Sequence, residues 1–340
     1  MPKVSKKEAQ EWMNKIDGED KVAIILDDDP DGFCSGILFL DFCKKRGAKV
    51  KEFIYSKGKT PFEDLGLESF NKVIITDIAP GLLDENLKKI KDKDVLYMDH
   101  HPRDLPSPKE INEYTTLERG YIPSSRSAFE LTNGKRWIAL VGTISDAAHL
   151  YPENDEFIKE SLEEIGMDLE EFKKEITFTI SNFLIYFEDK RKKSFNILKD
   201  FESVKDISSI KKYSDKIKGE INKFVKNFEK NKEMIGEVNF YQIESKYKVK
   251  GSVAFEIGTK KENFDKIFIF VGSSSGGKTT LSARNSSKKR DMADLLKAGI
   301  KDLEGGAGGH KAAAGGKINS KDLQKFKENL REYLENNSPQ

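Results

Sequence analysis

The chain has 340 residues, 34% of them charged, and a formal net charge of +1. That length suits two domains rather than one core, and the near-balance of charge leaves any polyanion affinity to a local patch. Two cysteines, Cys34 and Cys43, supply neither a zinc site nor a disulfide framework, no apolar run approaches membrane-spanning length, and Met1 to Glu8 lacks an apolar signal core, so the expected location is a reducing cytoplasm with no membrane partner.

From Lys21 onward, short apolar runs alternate with helical ones. Val22 to Leu26 reads as a strand, Ser35 to Arg46 as a helix ended by Gly47, and Val50 to Tyr55, Lys72 to Thr76 and Val95 to Met98 as further strands. Apolar strands without polar alternation are buried on both faces, which predicts a parallel α/β sheet. Each candidate acid follows the carboxyl end of its strand: Asp27-Asp28-Asp29-Pro30-Asp31-Gly32, then Asp77, then Asp99-His100-His101. The apolar stretch Trp137 to Ser145 is grouped with them, so that Asp146 closes a fourth segment. The carboxyl edge of such a sheet is where ligands bind. Of the 4 histidines, His100, His101 and His310 lie in the most motif-like stretches, and His149 reads as a surface residue.

Tyr151 onward is helical in period through Asp168 to Ile176, Ile180 to Phe187 and Asp215 to Val225. Residues 151–234 are therefore expected to be a helical connector after a first domain at 1–150, part of it packing on that domain. Residues 235–340 are expected to form a smaller mixed-sheet α/β domain. Its strands are Gly236 to Ile243, Gly251 to Phe255, Lys266 to Val271 and Thr279 to Arg284; a helix at Ala293 to Leu296, a loop at Gly305 to Gly316 and a helix at Lys321 to Leu334 complete it.

Carboxylates with imidazole suit Mn²⁺, with Mg²⁺ as the alternative. Two such ions about 3.5 to 4 Å apart bind a phosphate and activate a water between them. Asp77 and Asp146, alone on their segments, are natural bridges, and Asp29 and Asp31 can serve one ion each. Taken singly, each piece has an ordinary explanation: Asp-Pro-Asp-Gly is a common turn and an aspartate at a strand end is often a helix cap.

Together the pieces resemble the DHH phosphoesterase superfamily. Asp99-His100-His101 matches its namesake triplet, Asp29-Pro30-Asp31-Gly32-Phe33-Cys34-Ser35 its first motif, Thr76-Asp77 its second and Gly142-Thr143-Ile144-Ser145-Asp146 its fourth. The resemblance implies a binuclear Mn²⁺ site: Asp29 on the first ion, Asp31 and His100 on the second, Asp77 and Asp146 spanning both, and catalytic His101, beside Asp99, facing the scissile phosphate. Many members carry a histidine where this chain has Ile25, which leaves Asp27 to replace it. Gly305-Gly306-Ala307-Gly308-Gly309-His310 resembles the glycine-rich GGGH signature of the domain that follows DHH in many members, and Ser282-Ala283-Arg284 resembles that domain's substrate-binding Ser-x-Arg. Gly306, Gly308, Gly309 and His310 are thereby expected to hold substrate with Ser282 and Arg284.

Gly272 to Thr279 satisfies the phosphate-loop pattern formally, but a true phosphate loop opens a helix and Thr280 to Arg284 reads as a strand, so a hairpin is expected. Ser286 to Arg290 is a basic cluster, read equally well as a solvated loop. Phe240, Tyr241 and Tyr247 are candidates for base stacking, against core positions. Within the family, the Asp27-x-Asp29-x-Asp31 pattern favours the archaeal RecJ-like exonucleases. The expected partners are single-stranded DNA or RNA and a replication or repair protein. The alternatives are a hydrolase of short oligonucleotides or cyclic dinucleotides, and an inactive scaffold in a replication or repair assembly.

Overall fold

The computed structural model describes residues 4–55, 62–80, 83–101, 111–274 and 276–337. They divide into two compact units at Ser214/Asp215.

The first unit is built on a five-stranded parallel sheet in the order β2-β1-β3-β4-β5: β1 (Lys21–Asp27), β2 (Lys49–Tyr55), β3 (Lys72–Thr76), β4 (Asp94–Asp99) and β5 (Asn112–Thr115). Alternate residues of the central strands feed two cores. Val22, Ile24, Leu26, Ile74, Leu96 and Met98 face one, with Phe33, Leu38 and Leu140. Ala23, Ile25, Val73, Ile75, Val95 and Tyr97 face the other. Both faces being covered accounts for the lack of polar alternation along the strands. From β1 the chain goes to β2 on one side and then to β3 on the other, so the crevice between the carboxyl ends of β1 and β3 is the topological switch point.

Helix α1 (Lys6–Asn14) precedes the sheet, α2 (Pro30–Lys45) joins β1 to β2, and α3 (Asp84–Lys88), α4 (Ser124–Thr132) and α5 (Arg136–Ser145) follow in turn. Cys34 and Cys43 lie buried and unpaired on α2. The stretch grouped with the strands, Trp137 to Ser145, is helix α5 instead. Every residue from Trp137 to Ile144 is buried, so the run has no polar face to mark its helical period.

Helices α6 (Asp155–Ile165), α7 (Leu169–Phe172), α8 (Phe178–Tyr186) and α9 (Arg191–Leu198) occupy the stretch read as a connector, with a π-helical turn at Lys173–Thr177. Phe157, Ile158, Phe172, Phe183 and Phe195 join the first unit's core, and only helix α10 (Lys211–Asn231) crosses the division. His149, expected at the surface, is half-buried with an unpartnered Nδ1; it lines a cavity of about 580 Å³ with Ile158, Leu162, Met167 and Leu169.

The second unit carries a mixed six-stranded sheet in the order β10-β11-β9-β8-β7-β6: β6 (Glu233–Ile235), β7 (Val238–Ile243), β8 (Ile267–Ser274), β9 (Lys278–Arg284), β10 (Gly305–His310) and β11 (Ala313–Asn319). Only β7 and β8 run parallel. Gly251 to Phe255, expected as a strand, lies in helix α11 (Lys250–Gly258), which buries Val253, Ala254, Ile257 and Gly258 on one helical face. Gly305 to Gly316, expected as a loop, forms the β10–β11 hairpin, because pairing with β9 orders residues of low strand propensity. Phe240 and Tyr241 are core, each 2% exposed. The pattern at Gly272 to Thr279 is a hairpin: Ser274 pairs with Lys278 in antiparallel register, and Lys278 bonds Glu304 at 2.8 Å. In the basic cluster Lys289 pairs with Asp265 and Arg290 with Glu237.

Helices α12 (Met292–Ile300) and α13 (Leu323–Asn336) pack on one face of this sheet. They cross at Gly299, where a Cβ would lie 2.4 Å from the ring of Phe326. Gly299→Ala is therefore expected to cost about 1–3 kcal/mol by overpacking, read as faster amide exchange in α12 and α13 with β1 and β3 unchanged.

Candidate metal centre and substrate face

Asp27 ends β1, and Asp29 caps α2, its carboxylate accepting from the Gly32 N–H at 3.0 Å. Pro30 takes the first helical position, where its missing N–H costs nothing. Asp31 follows in the first turn, 2% exposed. A Cβ on Gly32 would lie 2.6 Å from the Asp27 carbonyl oxygen, so glycine is what allows the helix to start this close to the strand. Asp77 follows β3 in the left-handed region, φ 63°, where a non-glycine residue is uncommon and often marks a functional site. Asp99 ends β4 and passes the chain to His100 and His101. Asp146 is the C-cap of α5 and so lies at a helix terminus rather than a strand end.

These acids are held by donors that the sequence reading did not single out. The first N–H groups of α4 point at Asp31: Ser124 donates to Oδ2 at 2.8 Å and Ser125 to Oδ1 at 3.1 Å. The Ser124 hydroxyl donates to Asp77 Oδ1 at 3.0 Å. The Tyr121 hydroxyl donates to Asp146 Oδ2 at 2.7 Å, and its ring meets His100 edge-on at 5.3 Å. Helix α5 approaches closely because Gly142 has no side chain; a Cβ there would lie 2.3 Å from Ser125 Oγ and 2.6 Å from Asp31 Oδ1. Pro123-Ser124-Ser125 is legible as a helix start, but nothing in that tripeptide says which acid it faces.

Metal-ligating atoms gather in three overlapping groups, each within 4.8 Å: Asp27, Asp29 and Asp77; Asp31, His100 and Asp146; and Asp77, Asp99, His100 and His101. His100 Nε2 lies 3.3 Å from Asp77 Oδ1 and 3.6 Å from Asp146 Oδ2, while its buried Nδ1 has no hydrogen-bond partner. His101 is fixed by Asp99, which receives its Nδ1 at 2.8 Å and its backbone N–H at 3.1 Å.

Burial, then the neighbouring carboxylates, push Asp77 well above the usual carboxylate range. Burial also raises Asp31 against the opposing charge of His100, and burial with the charge of Asp31 raises Asp146 to about 7. Burial lowers His100. For His101 burial is outweighed by the hydrogen bond and charge of Asp99, and its pKa rises. Among the described residues the ion pairs of Asp77, Asp99 and Asp146 are with histidine alone, and Asp31 has none. Buried like charge without a cationic side chain, in a set of hard oxygens and imidazole, is a donor set that can hold a divalent cation.

In the second unit the register assembles the other expected residues. His310 pairs with Ala313, which pairs with Arg284; Gly308 pairs with Gly315, which pairs with Ser282. Residues directly opposed across antiparallel strands project to one face, so Ser282 and Arg284 share a face with His310, about 10 Å away across β11. Between them stand only Ala313, Gly315 and Gly308. The glycines differ in their reasons. Gly309 has φ 138° and a Cβ there would lie 2.6 Å from the Ala313 carbonyl oxygen, whereas a Cβ on Gly306 or Gly308 would meet nothing within 4 Å.

An acidic centre at the switch point of a parallel sheet, followed by a mixed sheet with a small-residue face, defines a two-unit α/β protein of the phosphoesterase type. Residues 21–148 match the DHH family, N-terminal domain, and residues 219–336 match the DHHA1 domain; the chain belongs to the DHH family. No curated protein sequence matches it. The fold is RecJ-like. RecJ with Mn²⁺ from Thermus thermophilus superposes with a TM-score of 0.75 at 19% identity, covering 99% of this chain and 55% of that one. This chain thus spans just over half of that protein's length. An exonuclease RecJ bound to manganese superposes at 0.74 with 18% identity, covering 98% and 95% of the two chains, and CDC45 from Entamoeba histolytica at 0.62 with 10% identity, covering 97% and 99%. No helix among the described residues is long and apolar enough to cross a membrane.

The raised carboxyls predict how the metal-free protein responds to pH. A group whose folded pKa exceeds its unfolded value contributes stability at low pH that is lost as pH rises through the folded value. With Asp146 at about 7 and Asp31, Asp77 and His101 also raised, the melting temperature without divalent ions should rise as pH falls from about 8.5 to about 6.5. Saturating Mn²⁺ should flatten that dependence in the same thermal scans.

Proposed function

We propose that the chain is a binuclear-metal phosphodiesterase acting as a RecJ-like exonuclease on single-stranded nucleic acid. The observation that carries this reading is the pair of donor groups, Asp27 with Asp29 and Asp77, and Asp31 with His100 and Asp146, beside a histidine oriented by its own carboxylate. When bound, two Mn²⁺ or Mg²⁺ ions supply an activated water and stabilise the leaving oxygen. Asp77 belongs to a ligand group with Asp27 and to another with His100, which suits a bridge, and Asp146 is the second bridge in this reading. Asp27 takes the place left by Ile25, which is fully buried in the core. Because Asp99 receives Nδ1 of His101 and favours the protonated ring, Nε2–H is left to donate to a phosphate oxygen. Ser282, Arg284, His310 and the open backbone at Gly306 and Gly308 hold the strand. Gly309 serves the hairpin that presents them.

The likeness to CDC45 over nearly the whole chain supports a second reading, an inactive scaffold in a replication or repair assembly. Retention of every acid of the centre weighs against it. Digestion of end-labelled single-stranded DNA and RNA of graded length with Mn²⁺ decides between them: no cleavage at any length sinks the enzyme reading. Cleavage confined to two- or three-nucleotide substrates or cyclic dinucleotides replaces the exonuclease by a short-oligonucleotide hydrolase. The cytoplasm, where RecJ-like chemistry meets single strands, is the proposed location.

Asp77→Ala is expected to abolish Mn²⁺ binding and turnover together; two retained ions on metal analysis would remove the bridge. His101→Ala should keep the metal stoichiometry and lose about 10²-fold or more in kcat, and loss of an ion would make His101 a ligand instead. Gly306→Ala should leave stability within about 0.5 kcal/mol of wild type while weakening single-strand affinity. Gly309→Ala should instead destabilise the hairpin, seen as faster amide exchange in β10 and β11.

A further inference from the structure

Lys250 opens α11, which packs on β8 and β9. Its stem crosses Gly272, where a Cβ would lie 3.4 Å from Lys250 Cδ. Its Nζ donates to Ser282 Oγ at 2.8 Å, so the Ser282 hydroxyl proton is turned elsewhere. Arg284, on the same face of β9, and Lys250 are both partly buried, and no carboxylate among the described residues offsets either. Two positive charges and a hydroxyl donor thus meet at one end of the small-residue face. A phosphate group supplies the missing acceptor oxygens and the missing charge.

We infer that Lys250 is a ligand-binding residue: with Ser282 and Arg284 it completes a seat for one phosphate group of the strand, and it takes up a proton as that phosphate arrives. The inference rests on the nucleic-acid reading only for what carries the phosphate. Burial, then the charge of Arg284, hold Lys250 down at about 8. Ser282 does not titrate in this range, and Gly272 on β8 carries no charge. An anion's opposite charge outweighs both causes and raises the lysine's pKa, so affinity is greatest below about pH 8 and falls above it, approaching tenfold per pH unit.

The test is calorimetric titration of the full chain, metal-free in chelator, with an oligodeoxyadenylate and separately with sulfate; neither probe titrates near this pH. Runs at about pH 7.5 and about pH 9 bracket the lysine's value of about 8, in buffers of different protonation enthalpy. Wild type should show proton uptake and bind about tenfold more weakly at the higher pH. Lys250→Met should bind weakly at both pH values with no uptake. Lys250→Arg, charged throughout, should bind at both without uptake. Uptake persisting in Lys250→Met, or Lys250→Arg binding no better than Lys250→Met, overturns the inference. Uptake on sulfate without affinity for the oligonucleotide upholds the seat and removes the nucleic-acid reading. Oligonucleotide affinity without uptake on either probe does the reverse.

Discussion

Everything in the first unit answers to one electrostatic constraint, the repulsion among carboxylates gathered at the edge of β1, β3 and β4. Two unit charges about 4 Å apart at an effective dielectric near 20 repel by about 4 kcal/mol. A few such pairs match the whole stability margin of a domain, about 5–15 kcal/mol. The protein opposes this with oriented donors: two N–H groups at the start of α4 on Asp31, the Ser124 hydroxyl on Asp77, and the Tyr121 hydroxyl on Asp146. Burial and mutual charge still leave Asp31, Asp77 and Asp146 raised. A centre with that residual repulsion can hold a cation.

The second unit states the opposite condition. Among the described residues no carboxylate offsets Lys250 or Arg284, on a face whose neighbouring positions are Gly308, Ala313 and Gly315. In the proposed phosphate seat, small residues would let a ligand approach the backbone, and the two cations would give that approach a sign. The whole-chain charge of +1 conceals both features, since it sums 59 lysines and arginines against 58 aspartates and glutamates wherever they lie. Composition is therefore silent about both.

Glycine does different work at each end of the molecule. Gly32 and Gly142 admit backbone and helix to within contact of the acids, and Gly299 lets α13 cross α12. Gly306 and Gly308 meet nothing inside their unit. Spacing in a sequence does not distinguish these cases, because the atom a Cβ would strike is five residues away for Gly32 but belongs to another helix for Gly142 and Gly299.

The acids after β1, β3 and β4, the two histidines and the strands that present them were legible in order along the chain, because each rests on local chemistry: an apolar run buried on both faces, then a polar residue released at its end. Ser282 and Arg284, inside the alternating strand β9, were marked only by the family resemblance. Period failed where burial was complete. Trp137 to Ile144 is a helix with no polar face, Gly251 to Phe255 is too short a stretch of helix α11 to show its period, and the glycine run became a hairpin only by pairing with β9. Tertiary structure alone decided which donors meet which acids. Ser124 lies 93 positions from Asp31, Tyr121 25 from Asp146, and Lys250 32 from Ser282; hydrogen bonds across such separations are set by the packing of whole elements, and no window of sequence contains both partners.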